Sequence, residues 1–275
     1  MSAEKYKIRL AVCGAGGRMG LRVIAISAQS PELFELVAAI DRPESPLVGQ
    51  DAGAAAGIKP NGIKISGSLS VPADVLIDFS APAATHKIVQ ACAERNVAMV
   101  IGTTGLGPKE HRQIDDAAKK IPILQAANTS LGVNVLLDVA ASIARQLGPD
   151  YDVEMVEVHH NQKKDAPSGT ALALLERICA ATGRQVEKSL IHGRQGPEAA
   201  RIPGSIGVHA VRMGDVVGEH TVYFSGAGER IEIKHVATTR DTFARGALRA
   251  AEFITGRPPG RYTMADVLGL ESKPA

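Results

Sequence analysis

Aromatic residues are scarce in this sequence, which has no tryptophan, five phenylalanines and four tyrosines among 275 residues. So few rings leave little material for the stacked aromatic platforms that bind single-stranded nucleic acids. A surplus of one charge is also missing, because 31 lysines and arginines oppose 29 aspartates and glutamates. A dedicated nucleic-acid binder concentrates basic side chains on one face, so we expect no nucleic-acid partner.

Cysteine and long apolar runs are rare as well. The three cysteines are Cys13, Cys92 and Cys179. They cannot all pair with one another and show no C-x-x-C spacing, which favours a reducing compartment. The most apolar stretch, residues 133–144, is interrupted by Asn134 and Asp138 and is too short to span a bilayer. Residues 1–7 lack the apolar run of a signal peptide. We therefore expect a cytoplasmic protein with no membrane partner.

The first half of the chain contains a regular alternation of short apolar runs with helical segments. The apolar runs lie at 7–13, 35–40, 74–79, 97–101 and 121–125, and helical segments end near 27 or cover 82–95 and 108–120. This alternation is typical of βαβ units and predicts a parallel sheet.

The pattern changes after residue 128. It predicts a helix over 129–147, a strand over 151–159, a helix over 168–182, strands at about 205–212, 216–224 and 230–237, and a helix over 241–255. The turn Gly226-Ala227-Gly228 between the last two strands is typical of a hairpin. We predict a second, α+β layer here, and expect the final helix to pack back on the first half.

A glycine-rich turn, residues 14–20, follows the first predicted strand and opens the first helix. Its glycines fit the spacing G-x-x-G-x-x-G, because Met19 stands where G-x-G-x-x-G would require glycine. Glycines let the backbone approach a pyrophosphate, and the helix N-terminus supplies N–H donors. The candidate cofactor-binding residues are Gly14, Ala15, Gly16, Gly17, Arg18 and Met19. The alternative is a tight turn that binds nothing.

An acidic residue, Asp41, ends the second predicted strand, where a carboxylate can hold ribose hydroxyls. The neighbouring Arg42 can pair with a 2′-phosphate or remain a solvated surface charge. The two side chains together indicate NADH and NADPH as cofactors. Two more loops at predicted strand ends offer backbone amides to a nicotinamide or ribose, or are ordinary loops. They contain Gly102, Thr103 and Thr104, and Ala126, Ala127, Asn128 and Thr129.

The most unusual segment, residues 157–170, combines adjacent histidines, adjacent lysines and the start of a helix. His159 and His160 face opposite ways in a continuous strand, so both serve one site only if the chain leaves the strand there. A histidine can donate a proton near neutral pH. A lysine such as Lys163 supplies positive charge for a carboxylate or a developing carbanion.

Gly169 and Thr170 complete this cluster, because a helix N-terminus offers an anion seat of backbone N–H groups. The segment therefore predicts a site for a small, multiply anionic substrate that needs one proton. A metal site, for which Asp165 is the nearest carboxylate, and a solvated loop are the alternatives. We find no complete set of metal ligands in the sequence.

Six stretches of the sequence match a known family in order over nearly the whole length. They are VCGAGGRMG (12–20), IGTTG (101–105), AANTSLGVNV (126–135), HHNQKKDAPSGTAL (159–172), PGSIGVHAVRMGDVVGEHTVYF (203–224) and FARGALRAAEF (243–253). The fourth stretch is highly specific on its own. By these motifs the chain resembles the 4-hydroxy-tetrahydrodipicolinate (dihydrodipicolinate) reductases of lysine biosynthesis via diaminopimelate.

The resemblance implies an α/β fold with two domains. A Rossmann-like dinucleotide-binding domain would contain residues 1–130 and 240–275. An α+β domain with an open mixed sheet, residues 131–239, would bind substrate and form the tetramer. The family is typically a homotetramer whose second domains join through their sheets, and closure of the two domains brings hydride and substrate together.

The resemblance also implies NAD(P)H-dependent reduction of 4-hydroxy-tetrahydrodipicolinate to tetrahydrodipicolinate. His159 would donate the proton with Lys163 as its partner, and His160, Gly169 and Thr170 would bind the substrate carboxylates. The loop from Gly14 to Met19 would hold the pyrophosphate, Asp41 the adenosine ribose and Arg42 a 2′-phosphate, while residues 102–104 and 126–129 would line the nicotinamide side.

Two departures from the family concern the cofactor. The family often has glutamate where this chain has Asp41, and phenylalanine is common where Thr129 stands. A dehydrogenase with another substrate is the main competing interpretation. A semialdehyde dehydrogenase needs a cysteine nucleophile in the second domain, and Cys179 is the only candidate there. A dinucleotide sensor without catalysis is the other, but it leaves the polar cluster of 159–170 unexplained.

Overall fold

The computed structural model describes residues 6–270, which form two compact units. Within these residues, unit 1 comprises 6–131 and 240–269, and unit 2 comprises 132–239 and residue 270. Unit 1 is therefore discontinuous in sequence.

The described residues contain twelve strands and nine α-helices. The strands are β1 (Ile8–Cys13), β2 (Phe34–Ile40), β3 (Ile65–Ser66), β4 (Val75–Asp78), β5 (Ala98–Ile101), β6 (Pro122–Gln125), β7 (Asp152–His159), β8 (Leu190–Ile191), β9 (Ile206–Arg212), β10 (Gly218–Gly226), β11 (Glu229–Ala237) and β12 (Gly260–Tyr262). The helices are α1 (Arg18–Ser27), α2 (Ala52–Ala55), α3 (Pro82–Arg95), α4 (Pro108–Ala118), α5 (Leu131–Leu147), α6 (Gly169–Thr182), α7 (Val186–Ser189), α8 (Asp241–Ile254) and α9 (Met264–Leu268).

Unit 1 is built on a seven-stranded sheet in the order β12-β6-β5-β4-β1-β2-β3. Every pairing in this sheet is parallel, which confirms the predicted α/β class. The chain proceeds from β1 to β2 on one side and returns to β4 on the other. The strand order therefore reverses at β1, and ligands bind beyond the carboxyl ends of the strands at such a point.

Helix α8 belongs to the core of unit 1, as predicted for the last long helix. Its buried face is rich in alanine, which lets it approach its neighbours closely. The buried residues of this face include Ala244, Ala247, Leu248, Ala250, Ala251 and Ile254. Gly246 lies so close to the loop before α5 that an added Cβ would be 1.8 Å from the carbonyl oxygen of Thr129. The loop of residues 126–129 is thereby fixed against α8.

Unit 2 contains a five-stranded sheet in the order β11-β10-β7-β9-β8. β9 pairs in parallel with β7 and β8, whereas β10 is antiparallel to β7 and β11. The predicted mixed sheet is confirmed. β10 and β11 form the predicted hairpin, with Gly228 at φ +83° in its two-residue turn.

One face of this sheet forms the core of unit 2. Residues at every second position of β7 are buried, and they pack with β9, β10 and the apolar stripes of α5 and α6. The cluster includes Val153, Met155, Leu174, Leu175, Ile178, Val208, Val222 and Phe224. The same alternation places Glu157 and His159 on this buried face.

Within residues 6–270, no helix combines the length and the apolar character needed to cross a membrane. The three cysteines are free and buried. Cys179 lies on the buried face of α6 and is 1% exposed, and burial raises the pKa of its thiol. A cysteine nucleophile is accessible and has a lowered pKa, so Cys179 does not have the properties of the nucleophile that a semialdehyde dehydrogenase needs.

Candidate active site

The glycine turn between β1 and α1 is shaped by close backbone contacts. Gly14 has φ +75°, and an added Cβ would lie 2.5 Å from the carbonyl oxygen of Phe79. At Gly20 a Cβ would lie 2.1 Å from the carbonyl oxygen of Gly14. Both glycines are therefore required by packing, whatever the turn binds.

The middle of this turn is open. Gly17 is the N-cap of α1 and provides no side-chain cap, so the N–H groups of the first helical turn lack that partner. Gly17 and Arg18 are exposed, whereas Met19 is half-buried. These features fit the predicted phosphate cradle. The exposed glycine backbone lies at the N-terminus of a ten-residue helix, where N–H groups can bind an anion.

The carboxylate of Asp41 lies against the same turn. Oδ2 accepts hydrogen bonds from the backbone N–H of Gly16 at 3.2 Å and from the hydroxyl of Ser45 at 2.9 Å. Oδ1 accepts from the backbone N–H of Arg42 at 2.9 Å. The side chain of Arg42 is exposed beside it. The structure thus brings Asp41 and the glycine turn together, and it adds Ser45 as a support that the sequence did not indicate.

A buried carboxylate, Asp78, holds the loops after β4 and β5 together. Its oxygens accept hydrogen bonds from the hydroxyls of Ser80 at 2.5 Å, Thr85 at 2.6 Å and Thr103 at 3.1 Å. The side chain of Thr103 therefore points inward, and Thr104 beside it is exposed.

Phe79 joins two of the predicted loops. An added Cβ on Gly102 would lie 2.1 Å from its ring, and Gly14 packs against its carbonyl oxygen. The loop after β5 and the glycine turn therefore meet at one residue that the sequence analysis did not single out.

The loop after β6 is fixed by bonds to its own backbone and to α8. The amide oxygen of Asn128 accepts from the N–H of Ser130 at 2.9 Å. Thr129 is 2% exposed, and its hydroxyl donates to the carbonyl oxygen of Phe243 at 2.7 Å. Ala126 is half-buried and Ala127 is exposed. The hydroxyl of Thr129 is already bonded inside unit 1, so a ligand would contact this residue through its backbone.

The polar cluster of unit 2 is centred on a pair of side chains in β7. Nδ1 of His159 lies 2.5 Å from Oε2 of Glu157. Arg212, which is the register partner of His159 on β9, donates from its two Nη atoms to Oε2 and Oε1 of Glu157, each at 2.8 Å. The side chain of Glu157 is 1% exposed and that of His159 is 11% exposed. The histidine is therefore held by a buried carboxylate that is itself held by an arginine.

The same carboxylate connects β7 to the start of α6. Oε1 of Glu157 accepts from the backbone N–H of Ser168 at 3.0 Å. Ser168 caps α6, because its hydroxyl oxygen accepts from the N–H of Ala171 at 3.2 Å. The Ser168 hydroxyl also lies 3.0 Å from Nε2 of His220. Burial, with the nearby His159 second, lowers the pKa of His220 to about 4.

The predicted anion seat at the start of α6 is open on one side. Gly169 is exposed, and no heavy atom lies within 4 Å of the place where its Cβ would stand. Thr170 follows it in the first turn and is half-buried. β7 ends at His159, so His160 leaves the strand. The condition under which both histidines can serve one site is therefore met.

Lys163 is 19% exposed, and both carboxylate oxygens of Asp165 lie 2.8 Å from its Nζ. The hydrogen bond from Lys163 lowers the pKa of Asp165. The structure thus gives Lys163 a partner other than His159, and the side chain considered as a third metal ligand is engaged in this ion pair. Among residues 6–270, no group of three or more His, Cys, Asp and Glu side chains is arranged to hold a metal ion.

Three residues of this cluster were not candidates from sequence: Glu157, Arg212 and His220. Glu157 could have been found, since it lies two positions before His159 and so shares its face of the strand. Arg212 and His220 lie on other strands, and only the sheet register brings them to β7.

Comparisons with known proteins agree with this architecture. The family models described as dihydrodipicolinate reductase, N-terminus and C-terminus, match residues 8–129 and 132–268. The chain is 50% identical over 265 residues to the 4-hydroxy-tetrahydrodipicolinate reductase of Alkalilimnicola ehrlichii, covering 95% of this chain and 99% of that protein. It is 48% identical over 267 residues to the enzyme of the same name from Geotalea daltonii, covering 96% and 100%.

The fold is also similar to a solved structure, the dipicolinate-bound dihydrodipicolinate reductase of Paenisporosarcina sp. TG-14. The TM-score is 0.73 at 24% identity, and the match covers 95% of this chain and 99% of that one. On the family models and the close relatives together, the chain belongs to the dihydrodipicolinate reductase family.

Proposed function

We propose that this protein reduces 4-hydroxy-tetrahydrodipicolinate (dihydrodipicolinate) to tetrahydrodipicolinate with NAD(P)H, in lysine biosynthesis via diaminopimelate. One observation carries the proposal within this family: a histidine at the end of β7 is held by a buried carboxylate beside the open N-terminus of a helix. A proton donor next to an anion seat is what reduction of an unsaturated imino diacid requires.

The dinucleotide would be held by unit 1. Gly16, Gly17 and the first turn of α1 would accept the pyrophosphate, and Asp41 would bind the adenosine ribose. Arg42 stands ready for a 2′-phosphate, so both NADH and NADPH are expected to work. The loops of residues 102–104 and 126–129 would line the nicotinamide side. When bound, the cofactor supplies a hydride.

The substrate would be held by unit 2. Gly169 and Thr170 would bind one carboxylate through the helix N-terminus, and His160 would contribute to the same recognition. Lys163 would neutralise substrate charge by exchanging Asp165 for a substrate carboxylate. Once the 4-hydroxyl of the substrate has left as water, hydride would add to ring carbon 4 of the resulting conjugated ene-imine, and negative charge would build at the far end of that system. His159 would protonate that end.

The finer features of assembly and location are also proposals. We expect a homotetramer formed through the sheet of unit 2, and a cytoplasmic enzyme. Three free, buried thiols support a reducing compartment. Sedimentation or light scattering of the purified protein would measure the assembly directly.

The decisive experiment is oxidation of NADH and NADPH, followed by the loss of nicotinamide absorbance. The substrate would be made in the assay by condensing pyruvate with aspartate semialdehyde on the upstream synthase. We expect oxidation only when every component is present. Folded protein that binds NADH but oxidises none would contradict the proposal and favour a different substrate or a sensor.

A further inference from the structure

Glu157 is a charged side chain with no place in the proposed contacts to substrate or cofactor. It is 1% exposed and lies in the middle of a polar junction in unit 2. Its two oxygens contact His159, Arg212 and the backbone N–H of Ser168. A carboxylate is buried at large cost unless such partners satisfy it, so the arrangement calls for an explanation.

The carboxylate is ionised at neutral pH. Burial by itself would raise the pKa of Glu157, but the hydrogen bonds from His159 and Arg212 outweigh burial and lower it to about 2. An anion at 2.5 Å from Nδ1 of His159 can only accept a hydrogen bond. Nδ1 therefore carries its hydrogen, and Nε2 is the ring nitrogen whose proton can leave.

The second ring nitrogen faces a place without a side chain. A Cβ added to Gly218, at the start of β10, would lie 3.0 Å from Nε2 of His159. Glycine at this position leaves the space beside Nε2 without a side chain, whereas Nδ1 is occupied by its contact with Glu157.

The charged and titratable groups around His159 come from several elements of unit 2. Glu157 on β7 and Arg212 on β9 form the charged pair, and Lys163 follows in the loop after β7. His220 on β10 lies edge-on, with ring centroids 5.2 Å apart, and pairs in register with His235 on β11. Burial lowers the pKa of both latter histidines, so neither adds a cation at neutral pH.

We propose that Glu157, clamped by Arg212, is the residue that positions and charges His159 for proton donation. This inference rests on the proposed function, in which His159 is the donor. The Nε2–H bond breaks as the proton passes to the end of the ene-imine where charge builds when hydride adds at ring carbon 4. Nδ1–H stays bonded to Glu157, a neutral imidazole is left, and solvent restores the proton at Nε2.

The first test is Glu157→Gln, which keeps the size of the side chain and removes its charge. We expect turnover to fall at least tenfold while the dissociation constant for NADH stays unchanged. Because the imidazolium loses its counter-charge, the alkaline limb of the kcat/KM profile should move to lower pH by roughly 1–3 units. Glu157→Asp, which retains the charge on a shorter arm, should keep the wild-type limb with an intermediate turnover.

Arg212→Met provides a test with the opposite sign, and it stands even if Glu157→Gln does not fold. Removing the cation leaves Glu157 free to stabilise the imidazolium alone, so the alkaline limb should move to higher pH. If the pair has a purely structural role, both variants should lose stability and turnover, and their alkaline limbs should not shift in opposite directions.

Glu154→Gln is the matched control. Glu154 lies on β7 as well, and it bonds a histidine and an arginine, with His209 Nε2 and Arg194 Nη2 each at 2.7 Å. Side-chain alternation places it on the opposite face of the strand from Glu157. In Glu154→Gln the alkaline limb of the kcat/KM profile should stay at the wild-type pH. A folded Glu157→Gln with turnover within threefold and an unmoved limb, or an unmoved limb in Arg212→Met, would overturn the inference. Wild-type protein that does not oxidise NAD(P)H with the substrate would instead overturn the proposed function.

Discussion

The two candidate binding regions are built from different materials. In unit 1 the groups available to a ligand belong mainly to the backbone, because Thr103 and Thr129 turn their hydroxyls inward. In unit 2 the candidate groups are mainly side chains, and His159 contacts Glu157 on its own strand, which Arg212 on a neighbouring strand holds. A backbone site is encoded in one short motif, whereas a side-chain site depends on how distant strands are paired.

This difference predicts two kinds of vulnerability. The glycine turn should lose its conformation, and with it dinucleotide binding, when an added side chain collides with the neighbouring backbone. The unit 2 cluster should lose its side-chain contacts when a charge is removed or when the register of β7 with β9 or β10 changes. A shift of one residue would move Arg212 or His220 to the other face of the sheet.

The largest effect is expected from His159→Gln, which removes the proposed proton donor. Turnover should fall by roughly 10²–10⁴, the usual contribution of a general acid. Binding of NADH should change little, since the dinucleotide is assigned to unit 1. Steady-state kinetics and a titration of NADH fluorescence measure the two quantities. A loss of turnover under about threefold would remove His159 from the role.

Paired glycine substitutions sharpen the comparison between backbone and side-chain sites. In Gly20→Ala the new methyl group meets the carbonyl oxygen of Gly14 at 2.1 Å, so we expect a loss of roughly 1–3 kcal/mol in unfolding free energy and NADH binding weakened about tenfold. Gly169→Ala meets open space, so stability should hold while KM for the substrate rises several-fold.

Denaturant unfolding and separate titrations of NADH and substrate distinguish these outcomes. Both glycines lie in the first turn of a helix, so each variant controls for the other. Equal effects of the two variants on NADH binding would contradict the assignment of the dinucleotide to unit 1.

The smallest effect is expected at Asp41. Asp41→Ala should weaken NADH more than NADPH, because the carboxylate is proposed to hold a free ribose hydroxyl, while Arg42 remains to pair with a 2′-phosphate. Ser45→Ala is the control, since it removes a hydrogen bond to Oδ2 and leaves the charge. Equal losses for the two cofactors would show that the carboxylate does not read the ribose.

The sequence predicted the main elements of both units closely. α3 covers Pro82–Arg95 as expected, and β7 ends at His159 as the double use of His159 and His160 requires. These elements are long enough for their periodicity or their flanking residues to be read. Short elements such as β3 and β12 were missed, because two or three residues carry no periodicity and depend on pairing with a neighbouring strand.

Candidate site residues could be predicted where they follow one another in the chain. Asp78 lies in an apolar strand, and nothing in the sequence indicates that its carboxylate bonds the hydroxyl of Thr103. Arg212 has no role that its own stretch of sequence indicates, since its contact with Glu157 depends on the parallel pairing of β7 with β9. Sequence order reveals motifs, but the partners that support them become visible only in the folded sheet.

The discontinuity of unit 1 has a consequence for synthesis on the ribosome. The core of unit 1 needs Ala247, Ala251 and Ile254 from α8, yet these residues are translated only after the whole of Gly132–Thr239. Unit 2 is almost continuous and can fold as it emerges. The first unit to be made is therefore the last to be completed, and its incomplete core exposes an apolar surface to chaperones until α8 has been translated.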